Sequence, residues 1–174
     1  MEAVGEARSN LGKTDHPYMS GVFSPNLKEY NVDALEVIEG KCPTDVSGVY
    51  LRNTEQPTHK PLGNYYHPFD GDGMVHGVYF RDGKVSYRNR HVQTVALQQE
   101  MKDGCSQSPG VMGPFDYDIA EFGMKDTSNT DVFWFAGDIM TLWYNAGHPY
   151  RLNSQTLETK DYFNLDGREQ LRMS

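Results

Sequence analysis

The 174-residue sequence predicts an all-β, antiparallel fold, and three observations carry that expectation. Strand-like segments recur along the chain with short turn signals between them, helical periodicity is scarce, and aromatic residues make up 12% of the total. Residues 75–80 and 85–92 are strand-like and flank Arg81-Asp82-Gly83-Lys84. Asp-Gly between two such runs is the strongest short hairpin signal, because both central residues of a type I′ turn need positive φ.

A second group starts at Thr130. Residues 131–136 and 139–144 flank Gly137-Asp138, which reads as another two-residue connection. Residues 150–152 follow, then the turn-rich Asn153-Ser154-Gln155-Thr156, then a last strand-like run over 157–165. Closely joined antiparallel strands of this kind build sandwiches, barrels and propeller blades, which periodicity alone does not separate. The helix candidates are 95–101, which lacks a clear apolar face, and the short 120–124. Residues 104–114 carry several Gly, Ser and Pro and read as a long loop, a type of connection that tends to be functional.

Composition narrows the function classes. The length suits one ordinary domain over residues 1–174, and the aromatic content argues against disorder despite a mean hydropathy of −0.67. The net charge of −8, with no clustered Lys or Arg, excludes a nucleic-acid partner. No apolar run approaches the roughly 20 residues that span a bilayer, and residues 1–13 are too polar for a secretory signal. Cys42 and Cys105 form no CxxC pair, so both read as small buried or half-buried thiols in a reduced, cytoplasmic setting.

The six histidines, at 16, 59, 67, 76, 91 and 148, form no HxH or HExxH pattern, so no metal ligand is assigned. Asp70-Gly71-Asp72-Gly73 has the spacing that opens an EF-hand loop but lacks its distal Glu and its flanking helices. The reading preferred is a structural turn. The glycines supply positive φ or close approach, the aspartates bond to turn amides, and Arg52 and Asn53 join the framework, Arg52 as an ion partner for one aspartate.

Four blocks in order then sharpen the reading: Gly40-Lys41-Cys42-Pro43 with Gly48-Val49-Tyr50-Leu51-Arg52-Asn53; Tyr66-His67-Pro68-Phe69-Asp70-Gly71-Asp72-Gly73-Met74-Val75-His76; Asp82-Gly83-Lys84 through Val92-Gln93-Thr94; and Asn129-Thr130 with Tyr150-Arg151-Leu152 and Thr156-Leu157-Glu158-Thr159. Together they resemble the carotenoid oxygenase family of carotenoid, apocarotenoid and stilbene-cleaving dioxygenases and the retinal-pigment-epithelium isomerase. The resemblance implies the N-terminal portion of a seven-bladed β-propeller. It also implies an Fe(II) cofactor held by four histidines and O2-dependent cleavage of a C=C bond in an apolar polyene or stilbene-like substrate. Peripheral membrane contact belongs to the same expectation.

By that resemblance the first ligand is expected just after the Thr156–Thr159 block, so the iron ligands lie outside this chain, which is expected to be a fragment and inactive alone. Phe69 matches a substrate-facing position, and Tyr144 falls beside the metal-facing mouth, where stilbene-cleaving relatives carry Lys. Asn145 stands where many members have a Glu that supports an iron ligand. The chain departs from the family at Thr54-Glu55-Gln56-Pro57, usually Gly-Pro-Asn-Pro, and at Cys42, usually Ile or Leu. The alternative is a non-catalytic β-domain that binds an apolar ligand or a partner. A propeller using paired carboxylates on carbohydrate ranks last, because no ordered pair of acids is visible.

Overall fold

A computed structural model describes residues 1–12, 16–62, 66–110, 124–145 and 147–163. Two antiparallel sheets dominate. The first has five strands in the order β1-β2-β5-β4-β3, built from β1 (Glu2–Glu6), β2 (Lys28–Val32), β3 (Gly48–Gln56), β4 (Asp72–Arg81) and β5 (Lys84–His91). The second is a meander in sequence order: β6 (Asp131–Phe135), β7 (Asp138–Leu142), β8 (Tyr150–Leu152) and β9 (Thr159–Tyr162). Among the described residues no helix is long and apolar enough to cross a membrane.

The β4–β5 hairpin forms as its turn chemistry dictates, with Asp82 at φ 51° and Gly83 at φ 71°. The β6–β7 hairpin corrects the sequence reading by one position. Its turn is Ala136-Gly137, at φ 48° and 92°, and Asp138 already pairs with Phe135. Asp138 is taken into the strand, where its carboxylate meets Lys160 of β9.

Strands β1 and β2 carry too little apolar alternation to be read from sequence. Charged β1 is exposed and is held by backbone pairing to β2. The join between β2 and β5 uses a side chain as backbone. Fully buried Asn89 accepts from Tyr30 N–H at 2.7 Å and donates to Lys28 O at 2.9 Å, extending a ladder only two residue pairs long.

The helix α1 (Val95–Asp103) starts at Thr94, whose hydroxyl accepts from Leu97 N–H, and ends at Gly104 in the left-handed region. Its buried positions are Leu97 and Glu100, so one apolar residue and one charge hold its inner face, and hydrophobic periodicity had little to detect. The 120–124 candidate lies almost wholly outside the described residues, as do 111–114 of the expected loop and the end of the 157–165 run. Residues 104–110 are irregular except for a bridge between Leu62 and Pro109. Cys105 is exposed and Cys42 half-buried, so the first departs from the expected burial.

The core lies between the sheets: Val75 and Val92 from the first side meet Ile139, Tyr150, Leu152 and Leu157, flanked by Leu51, Tyr79 and Val132. A left-handed alanine costs roughly 1–2 kcal/mol against the ordinary regions, a penalty that Asn largely avoids. Ala136→Asn, which makes the preferred Asn-Gly turn, is therefore expected to raise unfolding free energy by up to about 1 kcal/mol in thermal or urea melts.

Candidate functional site

The Asp70–Gly73 turn enters β4 against a strap of residues 125–130, and their contact is polar and almost dry. Lys125 is 9% exposed, and its Nζ lies 2.5 Å from Asp72 Oδ1 and 2.6 Å from Glu100 Oε2 of α1. Thr58 donates to Asp72 Oδ2 from both its hydroxyl, at 2.6 Å, and its backbone N–H, at 3.1 Å. Ser106 donates to Glu100 Oε1 at 2.6 Å, and His59 Nδ1 stands 3.5 Å from Glu100 Oε2. The cation held by Asp72 is thus Lys125, while Arg52 sits on the exposed side of β3 opposite His76.

The strap is also stapled through its backbone. Thr127 O accepts from Gly73 N–H, Ser128 O accepts from Asn53 Nδ2 at 2.9 Å, and the Ser128 and Thr141 hydroxyls meet at 2.8 Å. Asn53 is therefore a framework residue. The glycines serve close approach rather than positive φ. A Cβ on Gly73 would stand 2.5 Å from Ser128 O, and one on Gly71 would stand 2.9 Å from Gln56 N. Gly71 itself has an ordinary φ of −69°. Asp70 caps the short turn before β4 by accepting from His67 N–H.

Charge follows burial here. Burial alone would push the Asp72 carboxyl up, but the Lys125 ammonium and the Thr58 hydrogen bond outweigh it and hold the carboxyl below its ordinary value. Burial would likewise push Lys125 down, yet Asp72 and Glu100 hold its ammonium above the usual range. Asp126, next in the strap, forms no ion pair among the described residues. Burial raises it to about 7 against the opposing hydrogen bonds from Ser128 and His148 N–H. His76, on β4, is pushed down to about 4 by burial and then by Arg52 and His91, and it bridges Thr54 and Tyr87 as a neutral ring.

The residues singled out for substrate lie at the rim of this buried core. Phe69 is 47% exposed, its ring edge-on to His67 at 4.7 Å. Tyr144 is 57% exposed beside Trp143, and its N–H donates to Thr130 Oγ1. Exposed Asn145 places Nδ2 3.3 Å from Met124 Sδ. The histidines are dispersed: His16 and His67 accept from backbone N–H groups two residues on, and His148 stacks on Tyr162. His91, 2% exposed, has no hydrogen-bond partner for either ring nitrogen among the described residues. Among the described residues no three His, Cys, Asp or Glu side chains converge to hold a metal ion, so these residues do not fit an iron cage.

A family model described as retinal pigment epithelial membrane protein matches residues 23–174. The chain belongs to this carotenoid oxygenase family. Among curated relatives it is 32% identical over 153 residues to resveratrol cleavage oxygenase 1 of Aspergillus fumigatus, covering 88% of this chain and 30% of that one. It is 39% identical over 160 residues to a carotenoid cleavage oxygenase of Mycobacterium tuberculosis, covering 91% and 30%. Among solved structures, the lignostilbene dioxygenase of Pseudomonas brassicacearum superposes with a TM-score of 0.79 at 32% identity, over 91% of this chain and 33% of that one. An apocarotenoid oxygenase mutant from Synechocystis gives 0.71 at 28%, over 82% and 31%. The chain therefore spans about a third of the length of these relatives, and its two sheets are the N-terminal portion of the family's β-propeller.

Sequence reading missed Lys125, Glu100, Thr58 and Ser106. Each sits in a segment without apolar periodicity, so the only signal was a stretch of small polar residues, Asp126 to Thr130, just before a strand. Removing one member of a buried ion cluster costs about 3–5 kcal/mol, because the partner charge stays behind. Lys125→Met is expected to lose that much in urea unfolding, whereas Arg52→Ala, at an exposed site, should change it by less than about 0.5 kcal/mol.

The pH dependence has opposing parts. The folded value of about 4 for His76 lies below the ordinary 6.5, so between them the unfolded chain binds the extra proton and acid destabilises. The folded value of about 7 for Asp126 lies above the ordinary 3.8, so in the same window the folded chain binds the extra proton and acid stabilises. Across about pH 5 to 6.5 the two slopes oppose, each up to about 1.4 kcal/mol per pH unit. His76→Gln should gain stability as pH falls through this window, and Asp126→Asn should lose it, read as unfolding free energy against pH.

Proposed function

We propose that this chain is the N-terminal part of a non-haem Fe(II) dioxygenase that, when complete, cleaves a C=C bond of a conjugated alkene. One O2 is consumed and each alkene carbon leaves as a carbonyl. The observation that carries this reading is the family match across residues 23–174, supported by the fit to a lignostilbene dioxygenase over 91% of the chain. Relatives are named for resveratrol, isoeugenol, lignostilbene and carotenoid. Resveratrol, isoeugenol and carotenoids share an alkene conjugated to an aryl ring or a polyene, and that shared chemistry defines the proposed substrate class.

The iron belongs to the complete protein, with ligands other than the residues described here. This chain would supply apolar walls and rigid backing. Phe69 and Tyr144 are assigned to contact the substrate; their half-exposed rings offer flat apolar area that suits a conjugated ligand. Asn145 is assigned as an amide that supports one iron ligand through its oxygen, without the negative charge of a carboxylate. Peripheral membrane contact and a cytoplasmic location complete the proposal.

The test uses the complete protein loaded with Fe(II) and offered resveratrol, isoeugenol and an apocarotenal. Carbonyl products matched by equal oxygen uptake, and lost on iron chelation, are expected. Absence of product from all three overturns the reading. Asn145→Glu is expected to slow iron loss to a chelator; unchanged loss removes the role given to Asn145.

A further inference from the structure

The two positions assigned to substrate come from different sheets: Phe69 precedes β4 of the first, and Tyr144 follows β7 of the second. One buried side chain joins them. Asn129 is 4% exposed, and its Nδ2 donates to Phe69 O at 2.9 Å and to Gly71 O at 2.7 Å. Its Oδ1 accepts the Thr130 hydroxyl at 3.1 Å, and the same Thr130 oxygen accepts Tyr144 N–H at 3.2 Å. The amide thus uses both N–H donors and its acceptor, which fixes its orientation. Three hydrogen bonds run from the backbone at Phe69 to the backbone at Tyr144 through two adjacent side chains, and a fourth branches to Gly71.

We infer that Asn129 and Thr130 are positioning residues that set the separation between Phe69 and Tyr144, and through it the width of conjugated ligand the site admits. This rests on the reading of Phe69 and Tyr144 as substrate-facing. The physical case is that aromatic contact is broad and weakly directional, so two rings select a ligand by width only if their backbones are held at a fixed spacing. Other links end short of Tyr144: Thr130 N–H donates to Leu142 O at 2.9 Å, Ser128 meets Thr141 at 2.8 Å, and the core packs Val75 against Ile139 and Leu152. Deleting Thr130 Oγ1 removes the acceptor of the Tyr144 N–H, while Asn129 keeps its two donors on Phe69 O and Gly71 O.

The experiment compares Thr130→Val, which has nearly the same shape but no hydroxyl, with Thr130→Ser, which keeps it, in the complete protein. KM and kcat are measured for two-ring resveratrol and one-ring isoeugenol, and hydrogen exchange is followed across residues 142–145. In Thr130→Val the Tyr144 amide should exchange faster. The ratio of the two KM values should move about fivefold or more, within the range expected when a pocket changes by a group or two, while kcat changes less than about twofold. Thr130→Ser should restore both. Faster exchange with an unchanged KM ratio overturns the inference, and so does unchanged exchange. If the complete protein binds both probes without turning them over, the proposed reaction fails, and the same ratio is read as Kd from quenching of probe fluorescence. If it binds neither probe, the inference falls with the site.

Discussion

The structure depends on one ammonium group. Lys125 meets Asp72 from β4 and Glu100 from α1 where water is nearly absent, so three segments distant in sequence must converge for any of the charges to be tolerated. One cation between two carboxylates leaves a formal excess of negative charge. That excess is spread over donors that cost no further charge: the Thr58 hydroxyl and amide on Asp72, and the Ser106 hydroxyl on Glu100. A hydrophobic cluster of the same volume could be equally stable, since desolvation consumes much of the attraction in a buried pair. What it would lack is direction. Three charges and their donors accept only one register of turn, helix and strap, and this cluster fixes the register where the Asp70–Gly73 turn meets residues 125–130.

Once that register is fixed, the glycines of the turn have one purpose. Gly73 lies so near the strap that a methyl group would meet Ser128 O, and Gly71 is pressed in the same way against the end of β3. Backbone can then bond to backbone at this crossing, Gly73 N–H to Thr127 O, where side chains would hold the segments apart. The result is a rigid polar layer behind a surface that carries Phe69 and, past β7, Tyr144.

How legible this was in the sequence follows from the range of each interaction. The Asp82-Gly83 hairpin was readable because its cause is local: two residues that tolerate positive φ. The β6–β7 turn was misplaced by one residue because Ala136 adopts a left-handed conformation that alanine does not advertise. Helix α1 was named as a candidate over 95–101 but showed no apolar face, because its inner face is one leucine and a glutamate whose partner is 25 residues away. Strand β2 escaped because part of its pairing is made by the Asn89 side chain, which sequence presents as one polar residue among arginines. The Asp-Gly-Asp-Gly motif announced itself, but whether its glycines served φ or proximity was decided by segments elsewhere in the chain, the end of β3 at Gly71 and the strap at Gly73. Lys125 was invisible for the same reason. Charge pairing at long range leaves no periodicity.

If the complete protein cleaves a conjugated alkene as proposed, building this region from buried polar bonds rather than apolar packing has a physical rationale. A conjugated substrate offers few hydrogen-bonding handles, so recognition falls to aromatic faces whose attraction changes slowly with position. Selectivity in such a site comes from the stiffness of whatever holds the rings, since a soft wall adapts to ligands of many widths. Hydrogen bonds in a dry environment are short-ranged and costly to break, so they supply stiffness that apolar packing of the same rings would not. In this chain the apolar area and the stiffness are divided between residues. On the proposed function Phe69 and Tyr144 supply area, while Asn53, Asp72, Lys125 and Asn129 supply rigidity from behind, and substitutions in either group should be felt by the other.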